Sequence, residues 1–498
     1  MPFRTVPPPP VQGPLQAERT PARVPSRPRR HWLLLIAFAF TVMADPISSV
    51  AYAIEAALRE LGGNLALLFP TMALVVAVIA IVTINYHQLV ARFPEGGGAA
   101  AAAGAALGEA WAFVPIGALI VDFVLTISIS VAASTSALIA YAPLLASFRV
   151  PLALGLLCLV GGLTWFGHGG RTIFAGMTLA FLGIGIALLA TGWVHAAQMG
   201  PLLPHATVPQ AGGGAQILAV LLAFPVAMAL ATGVEAPSSA IAQLGQLDQE
   251  GRRRFGQITL WLTLFLVGGL TLGITALAVR LGIGLPPAES TQIAEIARAV
   301  GSSWLFAAFQ LTTTLLLLSA ASSSFQAGPG LLKALARSER AQGPAQNILP
   351  AWLGRTNRHH TPYLGLVVYL LISACVLLLS GAQDQTLVLF YAVAVFLSFL
   401  IGLLAMAHLS RGKPGSQVIN LLGAVVVGFT LVTNLLRGWP LLSLVVALAI
   451  AGGLYLLWVR AGRPRGISSA VQHAEEGEGE TPPAQEPERH GEEGHGAA

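Results

Sequence analysis

The sequence predicts an all-α polytopic membrane protein of about twelve transmembrane helices. Ten of them form two five-helix halves of opposite orientation, each opening on a broken helix. Three observations predict this. The chain is 55% hydrophobic and only 10% charged, whereas soluble domains run near a quarter charged. Apolar runs of about 20 residues succeed one another, each long enough to cross a bilayer. Two of these runs, the first and the sixth, are interrupted by an acid, a proline and hydroxyls.

The first interruption is Asp45-Pro46-Ile47-Ser48-Ser49. The run His31 to Ala44 is almost uniformly apolar, and Val50 to Leu58 resumes with a helical pattern. Asp45 therefore falls near the membrane centre, where an ionised side chain is costly and usually functional. Pro46 removes a backbone donor and crowds the preceding turn. Ser48 and Ser49 follow, and their hydroxyls can bond the loosened backbone. Irregular backbone at that depth survives where it lines a polar cavity. The plainer alternative is a proline-kinked helix with an incidental polar residue. The sixth run weighs against it, because Ala231-Thr232-Gly233-Val234-Glu235-Ala236-Pro237-Ser238-Ser239 repeats the same ingredients. Five spans separate the two breaks, and that odd offset turns the second half upside down relative to the first.

The remaining elements follow in order. Residues 1–30 hold six arginines among many prolines and read as a disordered cytoplasmic tail. Span 1 runs from His31 to Glu60 and span 2 from Asn64 to Val90. The turn Phe93-Pro94-Glu95-Gly96-Gly97-Gly98 leads to a small-residue stretch. Span 3 runs from Trp111 to Tyr141, span 4 from Val150 to Phe166 and span 5 from Thr172 to His195. Gly200 to Gly214 lacks Lys and Arg and suits an extracellular loop. Span 6 covers Ala215 to Leu244, and Arg252, Arg253 and Arg254 mark a cytoplasmic loop before span 7, Ile258 to Leu281. Pro286 to Val300 is amphipathic and is expected on the outer surface. Spans 8 to 12 are Ser303–Ala327, Tyr363–Ser380, Thr386–His408, Val418–Leu436 and Pro440–Val459. The transmembrane domain thus covers 31–460. Lys and Arg in the intervening loops place both termini in the cytoplasm. The segment 461–498 is acidic and reads as a disordered cytoplasmic tail, and the spacing of its His473, His490 and His495 matches no defined metal site. No folded cytoplasmic domain is expected after span 12.

The net charge of +5 comes from basic residues beside spans, which is a topology signal and not a nucleic-acid stripe. Cys158 and Cys375 both fall inside apolar spans and read as neither a disulfide nor a metal site. No cleavable signal peptide is visible. No Ser/His/Asp set, Cys/His metal spacing or phosphate loop is evident, so an enzyme is not expected.

Span 3 carries Asp122, Thr126 and Ser130 at i, i+4 and i+8, one stripe of a helix. An acid with two hydroxyls on one stripe points to a cavity more than to bonds within its own helix. Tyr391 in span 10 offers a phenolic oxygen, with packing as the alternative role. Asp45, Asp122 and Glu235 are all placed deep in spans, and no Lys or Arg is. Buried charge must be paired, protonated or satisfied by an ion. The surplus of acid argues for a bound cation and for a carboxyl that gains and loses a proton. His87 near the end of span 2 reads as an interfacial residue, and Glu55 as one that reaches the outer mouth.

These motifs resemble the amino acid–polyamine–organocation (APC) superfamily, with its LeuT-like fold. The resemblance rests on Ala44 to Tyr52, Phe93 to Gly98, Asp122 to Thr126, Thr232 to Ala236 and Tyr391-Ala392-Val393. Within the superfamily they are most similar to the KimA- and KUP-type potassium–proton symporters. There the first span has an Asp, a hydroxyl pair and a Tyr seven residues after the Asp, as Asp45, Ser48, Ser49 and Tyr52 do. The resemblance implies a potassium site built from Tyr52, Asp122, Thr126, Ser130, Thr232 and Tyr391, with Ser48 and Ser49 beside it. It implies proton- or ion-coupled roles for Asp45 and Glu235. The glycine-rich first break of amino acid permeases is absent. Ala327 stands where relatives usually carry an Asp, a departure at the inner gate.

The expectation is a secondary transporter in the plasma membrane, taking up potassium with a proton by alternating access. It needs no cofactor beyond the proton gradient and K+. The partners expected are a small inorganic cation or amino acid, the lipid bilayer and a second copy in a homodimer, with no nucleic acid. A proton-coupled amino acid or polyamine permease is the competing reading, and a non-transporting sensor or scaffold is a third.

Overall fold

The computed structural model describes residues 28–167, 171–199, 213–241, 244, 247–336, 348–438 and 440–463. Residues 1–27 and 464–498 of the two expected tails, most of the Gly200 to Gly214 loop, and Arg337 and Arg340 lie outside the described residues. Pro28 already opens the first helix. Among the described residues there are helices and no strands.

The first span comprises α1 (Pro28–Val42), α2 (Ala44–Ser48) and α3 (Val50–Glu60). Then come α4 (Leu65–Arg92), the short α5 (Gly98–Leu107) and α6 (Phe113–Tyr141), followed by α7 (Arg149–Trp165) and α8 (Arg171–Met199). The sixth span is divided into α9 (Gly213–Ala227), a 3-10 turn Met228–Ala231 and α10 (Ala236–Ala240). The second half continues with α11 (Gln249–Leu281), α12 (Gln292–Val300), α13 (Ser303–Ala336), α14 (Tyr363–Leu379) and α15 (Asp384–Leu409). Two further helices follow, α16 (Pro414–Leu435) and α17 (Leu441–Arg460).

Ten helical segments among the described residues are long and apolar enough to cross a membrane. The other two expected spans are the first, which is divided into short pieces, and α14. At 17 residues α14 reaches roughly 25 Å at 1.5 Å per residue, close to the hydrocarbon thickness.

Local chemistry sets the helix ends. Asn64 caps α4 by accepting from the Ala66 amide at 3.1 Å, and Asp248 caps α11 by accepting from the Gly251 amide at 2.8 Å. That cap starts α11 ahead of Arg252, Arg253 and Arg254. The three arginines therefore lie in the first turns of a helix and not in the expected loop. The Pro-Glu-Gly-Gly-Gly turn is glycine-dependent, because Gly96, Gly97 and Gly98 take φ of 96°, 84° and 46°, a region other residues avoid.

The long helix α6 is the hub. It packs on α13, α15 and α17, with α7 and α14 beside them. Gly117 makes one of these contacts possible, since a Cβ there would lie 2.5 Å from the Ala447 carbonyl of α17. A small residue lets two membrane helices meet at the backbone. The amphipathic stretch Pro286 to Val300 turns its apolar side toward protein and not toward lipid. Its helical part, α12, buries Gln292, Ile293, Ala294, Ile296 and Ala297 against the rest of the protein. The apolar stripe read as a membrane-surface signal is a packing face.

Candidate transport site

The two interruptions are unequal. In span 1, Met43 (φ −74°, ψ −9°) and Ser49 (φ −63°, ψ −23°) interrupt the helix, yet both stay in the right-handed helical region. Span 1 is thus kinked at two points and not unwound into extended chain, which is milder than the break expected. Ser48 Oγ bonds the Asp45 carbonyl at 2.7 Å, a backbone group that the kink exposes. In span 6, Thr232 is extended (φ −65°, ψ 142°) and Gly233 is left-handed (φ +77°). Here the chain leaves the helix outright. Ser238 mirrors Ser48, donating to the Glu235 carbonyl at 2.7 Å.

The two interruptions touch. A Cβ on Gly233 would stand 2.8 Å from Asp45 Cγ and Oδ2 and 2.8 Å from Pro46 Cδ. Beside this contact, Ser49 Oγ lies 2.9 Å from Thr232 Oγ1 and 2.9 Å from Tyr52 Oη. Thr232 also bonds the Ala229 carbonyl at 2.8 Å, which holds the extended residue to the preceding turn. Spans 3 and 10 add a second pair, with Thr126 Oγ1 2.7 Å from Tyr391 Oη. Tyr52 and Tyr391 are both within electrostatic reach of Asp45 and Asp122.

The carboxyls are buried together. Asp122 is 5% exposed and Glu235 7%, while Asp45 is half-buried. Asp122 interacts electrostatically with both Glu235 and Asp45, and Glu235 with Asp45. One oxygen of each acid, Asp45 Oδ1, Asp122 Oδ1 and Glu235 Oε2, is buried without a hydrogen-bond partner. Among the described residues no salt bridge reaches any of them. Nor does any group of three His, Cys, Asp or Glu side chains converge tightly enough to hold one metal ion. The acids share a region and not a point, so an ion there would depend on hydroxyl and phenol oxygens as well.

The expected residues are therefore placed as follows. Asp45, Ser49, Tyr52, Thr232 and Gly233 meet at the two interruptions, and Thr126 and Tyr391 pair across spans 3 and 10. Asp122 and Glu235 lie within electrostatic range. Ser130 Oγ is buried without a partner one turn beyond Thr126, and Ser48 is turned onto its own backbone. Ala327, at the place of the relatives' Asp, is exposed. Two features escaped sequence reasoning. Tyr369 of α14 is 2% exposed, lies within electrostatic reach of Asp122 and has an unpartnered hydroxyl. A tyrosine in the middle of an apolar span was the available signal. Gly233 was legible as part of the second interruption, but nothing in the sequence showed that it would touch Asp45.

Two residues set aside in the sequence are structural. His87 Nδ1 accepts from Trp261 Nε1 at 3.2 Å. Glu55 does not reach open solvent: it is 3% exposed, pairs with Arg59 at 2.7 Å and accepts from the Gln292 amide at 2.9 Å.

In a multi-pass helical chain, two spans interrupted at membrane depth around an acid- and hydroxyl-rich region form the arrangement in which secondary transporters place their substrate sites. The chain belongs to the amino acid permease family, whose family model matches residues 31–464. It is 28% identical over 421 residues to "Potassium transporter KimA" of Bacillus subtilis (strain 168), covering 80% of this chain and 66% of that protein. The chain thus spans just under two thirds of that relative's length. Among solved structures, a mutant of the Eremococcus coleocola manganese transporter aligns with a TM-score of 0.45 at 13% identity, covering 91% of this chain and 98% of that one. The same transporter with an aromatic bis-isothiourea substituted compound aligns with a TM-score of 0.45 at 13% identity, covering 91% and 97%.

Proposed function

We propose that this protein takes up potassium together with a proton by alternating access, from a plasma membrane in which both termini face the cytoplasm. The observation that carries the reading is the uncompensated acid set: three carboxyls, each with one buried, unpartnered oxygen and, among the described residues, none with a basic partner. Leaving an ionised carboxyl unpaired in a low-dielectric site costs several kcal/mol, roughly, so the site needs a cation or protons. A dehydrated potassium ion prefers several oxygens of moderate field strength. Tyr52, Asp122, Thr126, Ser130, Thr232 and Tyr391 would supply them, with Ser49 orienting Tyr52 and Thr232. Asp45 and Glu235 would carry the coupled proton. Proton arrival at either acid lowers the negative charge that holds the ion and favours its release. The relative named a potassium transporter supports the same reading. No resident cofactor is part of it.

The competing reading, a proton-coupled amino acid or polyamine permease, draws on the family's description, and a cationic substrate would also suit the acids. Purified protein in proteoliposomes, offered labelled potassium and a panel of labelled amino acids and polyamines, separates the two. Potassium uptake driven by an imposed proton gradient is the expected result, together with growth of a potassium-uptake-deficient bacterium at limiting potassium. Uptake of an amino acid with no potassium flux would replace the proposal with its competitor.

A further inference from the structure

The outer halves of the two interrupted spans are gripped by a segment belonging to neither. Asn434 lies in the last turn of α16 and Arg437 just beyond its end. Asn434 is 1% exposed, and its Nδ2 donates to the Pro225 carbonyl of α9 at 3.2 Å. Arg437 Nη2 donates to the Leu222 carbonyl of α9 at 2.6 Å. Its Nη1 pairs with Glu60 Oε2 at 2.7 Å, and Glu60 is the last residue of α3. One helix end thus holds α9 by two carbonyls and α3 by a carboxylate.

The chemistry suits a clamp. Pro225 is among the last four residues of α9, whose carbonyls need partners from outside the α-helix, and Asn434 supplies one. Guanidinium is a planar fork that can satisfy a carboxylate and a carbonyl together, which an ammonium holds with less geometric definition. Arg437 and Glu60 are each about a quarter exposed, so the ion pair alone contributes little to folding stability. Its effect is to join elements of two different spans, α3 and α9. On this side α3 is enclosed by protein: every one of its residues from Val50 to Leu58 is buried.

We propose that Asn434 and Arg437 are the latch of the outer gate, holding α3 and α9 together in the closed state and releasing at least one of them when the site opens outward. Interactions present in only one of two conformations bias the equilibrium by their differential free energy. The inference holds whichever substrate is carried. It assigns a gating task to α16, a helix outside the two five-helix halves.

The test uses the full chain with Cys158 and Cys375 replaced by Ser and Ala57→Cys as a reporter, since Ala57 is fully buried on α3. A membrane-impermeant maleimide is applied to intact cells expressing the protein, and external-substrate KM and maximal uptake are measured separately. With Arg437→Gln or Asn434→Leu, labelling is expected to rise several-fold and KM to fall with maximal uptake. The swap Glu60→Arg with Arg437→Glu restores the ion pair to α3 but not the bond to the Leu222 carbonyl, so it is expected to bring labelling only part of the way back to the parent. Unchanged labelling and KM in both single variants would overturn the latch. Should Arg437→Gln not accumulate, Arg437→Lys keeps the charge while losing the fork, and unchanged labelling in that variant overturns it equally.

Discussion

Gly233 is pressed against Asp45: a methyl group on residue 233 would come within 2.8 Å of the Asp45 carboxyl. The glycine is also left-handed, with φ of +77°. Its missing side chain therefore does two things at once. It lets the chain turn out of α9, and it lets the backbone of span 6 rest on the acid of span 1.

Gly233→Ala follows directly. The left-handed conformation costs an L-residue about 1–2 kcal/mol, and the added carbon must displace Asp45 or Pro46. We expect uptake to fall at least tenfold with the protein still inserted, and the unfolding temperature in detergent to drop. Wild-type uptake from this variant would show that the two spans do not need to touch.

Neutralising Asp122 separates function from stability. Asp122→Asn keeps the shape and removes a buried charge that lacks a basic partner. We expect cation uptake to fall at least tenfold, about 1.4 kcal/mol or more, while the unfolding temperature holds or rises. A large loss of stability would mean that the carboxylate is held by favourable bonds and is not a vacant ligand.

The Thr126–Tyr391 pair invites a double-mutant cycle. Its hydroxyls are 2.7 Å apart and buried, so losing one partner strands the other at about 1–3 kcal/mol. Thr126→Val and Tyr391→Phe should each reduce substrate affinity, and the double variant should cost less than their sum. Strict additivity would show that the two residues act apart.

Gly117→Leu tests the packing hub and leaves the site alone. A Cβ already meets the Ala447 carbonyl at 2.5 Å, so a larger group must push α17 away from α6. Overpacking of this kind costs about 1–3 kcal/mol or more. The expected result is a lower unfolding temperature with unchanged external KM in the molecules that remain folded.

Much of the fold was legible in advance because it is written in local terms. Apolar runs of bilayer length, the Pro-Glu-Gly-Gly-Gly turn and the i, i+4, i+8 stripe of Asp122, Thr126 and Ser130 need only near neighbours to be recognised. Where local signals can be satisfied in two ways, the reading slipped. Pro286 to Val300 has the stripe of a surface helix, and α12 buries that stripe against protein. Arg252, Arg253 and Arg254 resemble a loop until Asp248 is seen capping the helix they sit on. Asp45-Pro46 is sufficient to interrupt a helix but does not say how far, and span 1 stays right-handed where span 6, with a glycine after Thr232, does not.

The amino-acid sequence by itself determined that this is a multi-pass helical protein, which spans carry acids and hydroxyls, and where the two interruptions fall, because hydropathy, helix period and proline act over a few residues. Tertiary structure alone decided which oxygens meet. Ser49 finds Thr232 across 183 residues and Thr126 finds Tyr391 across 265. Gly233 finds Asp45, and Arg437 reaches both Glu60 and Leu222. Such partners are chosen by how whole helices pack, and no pattern confined to one helix encodes the face of another.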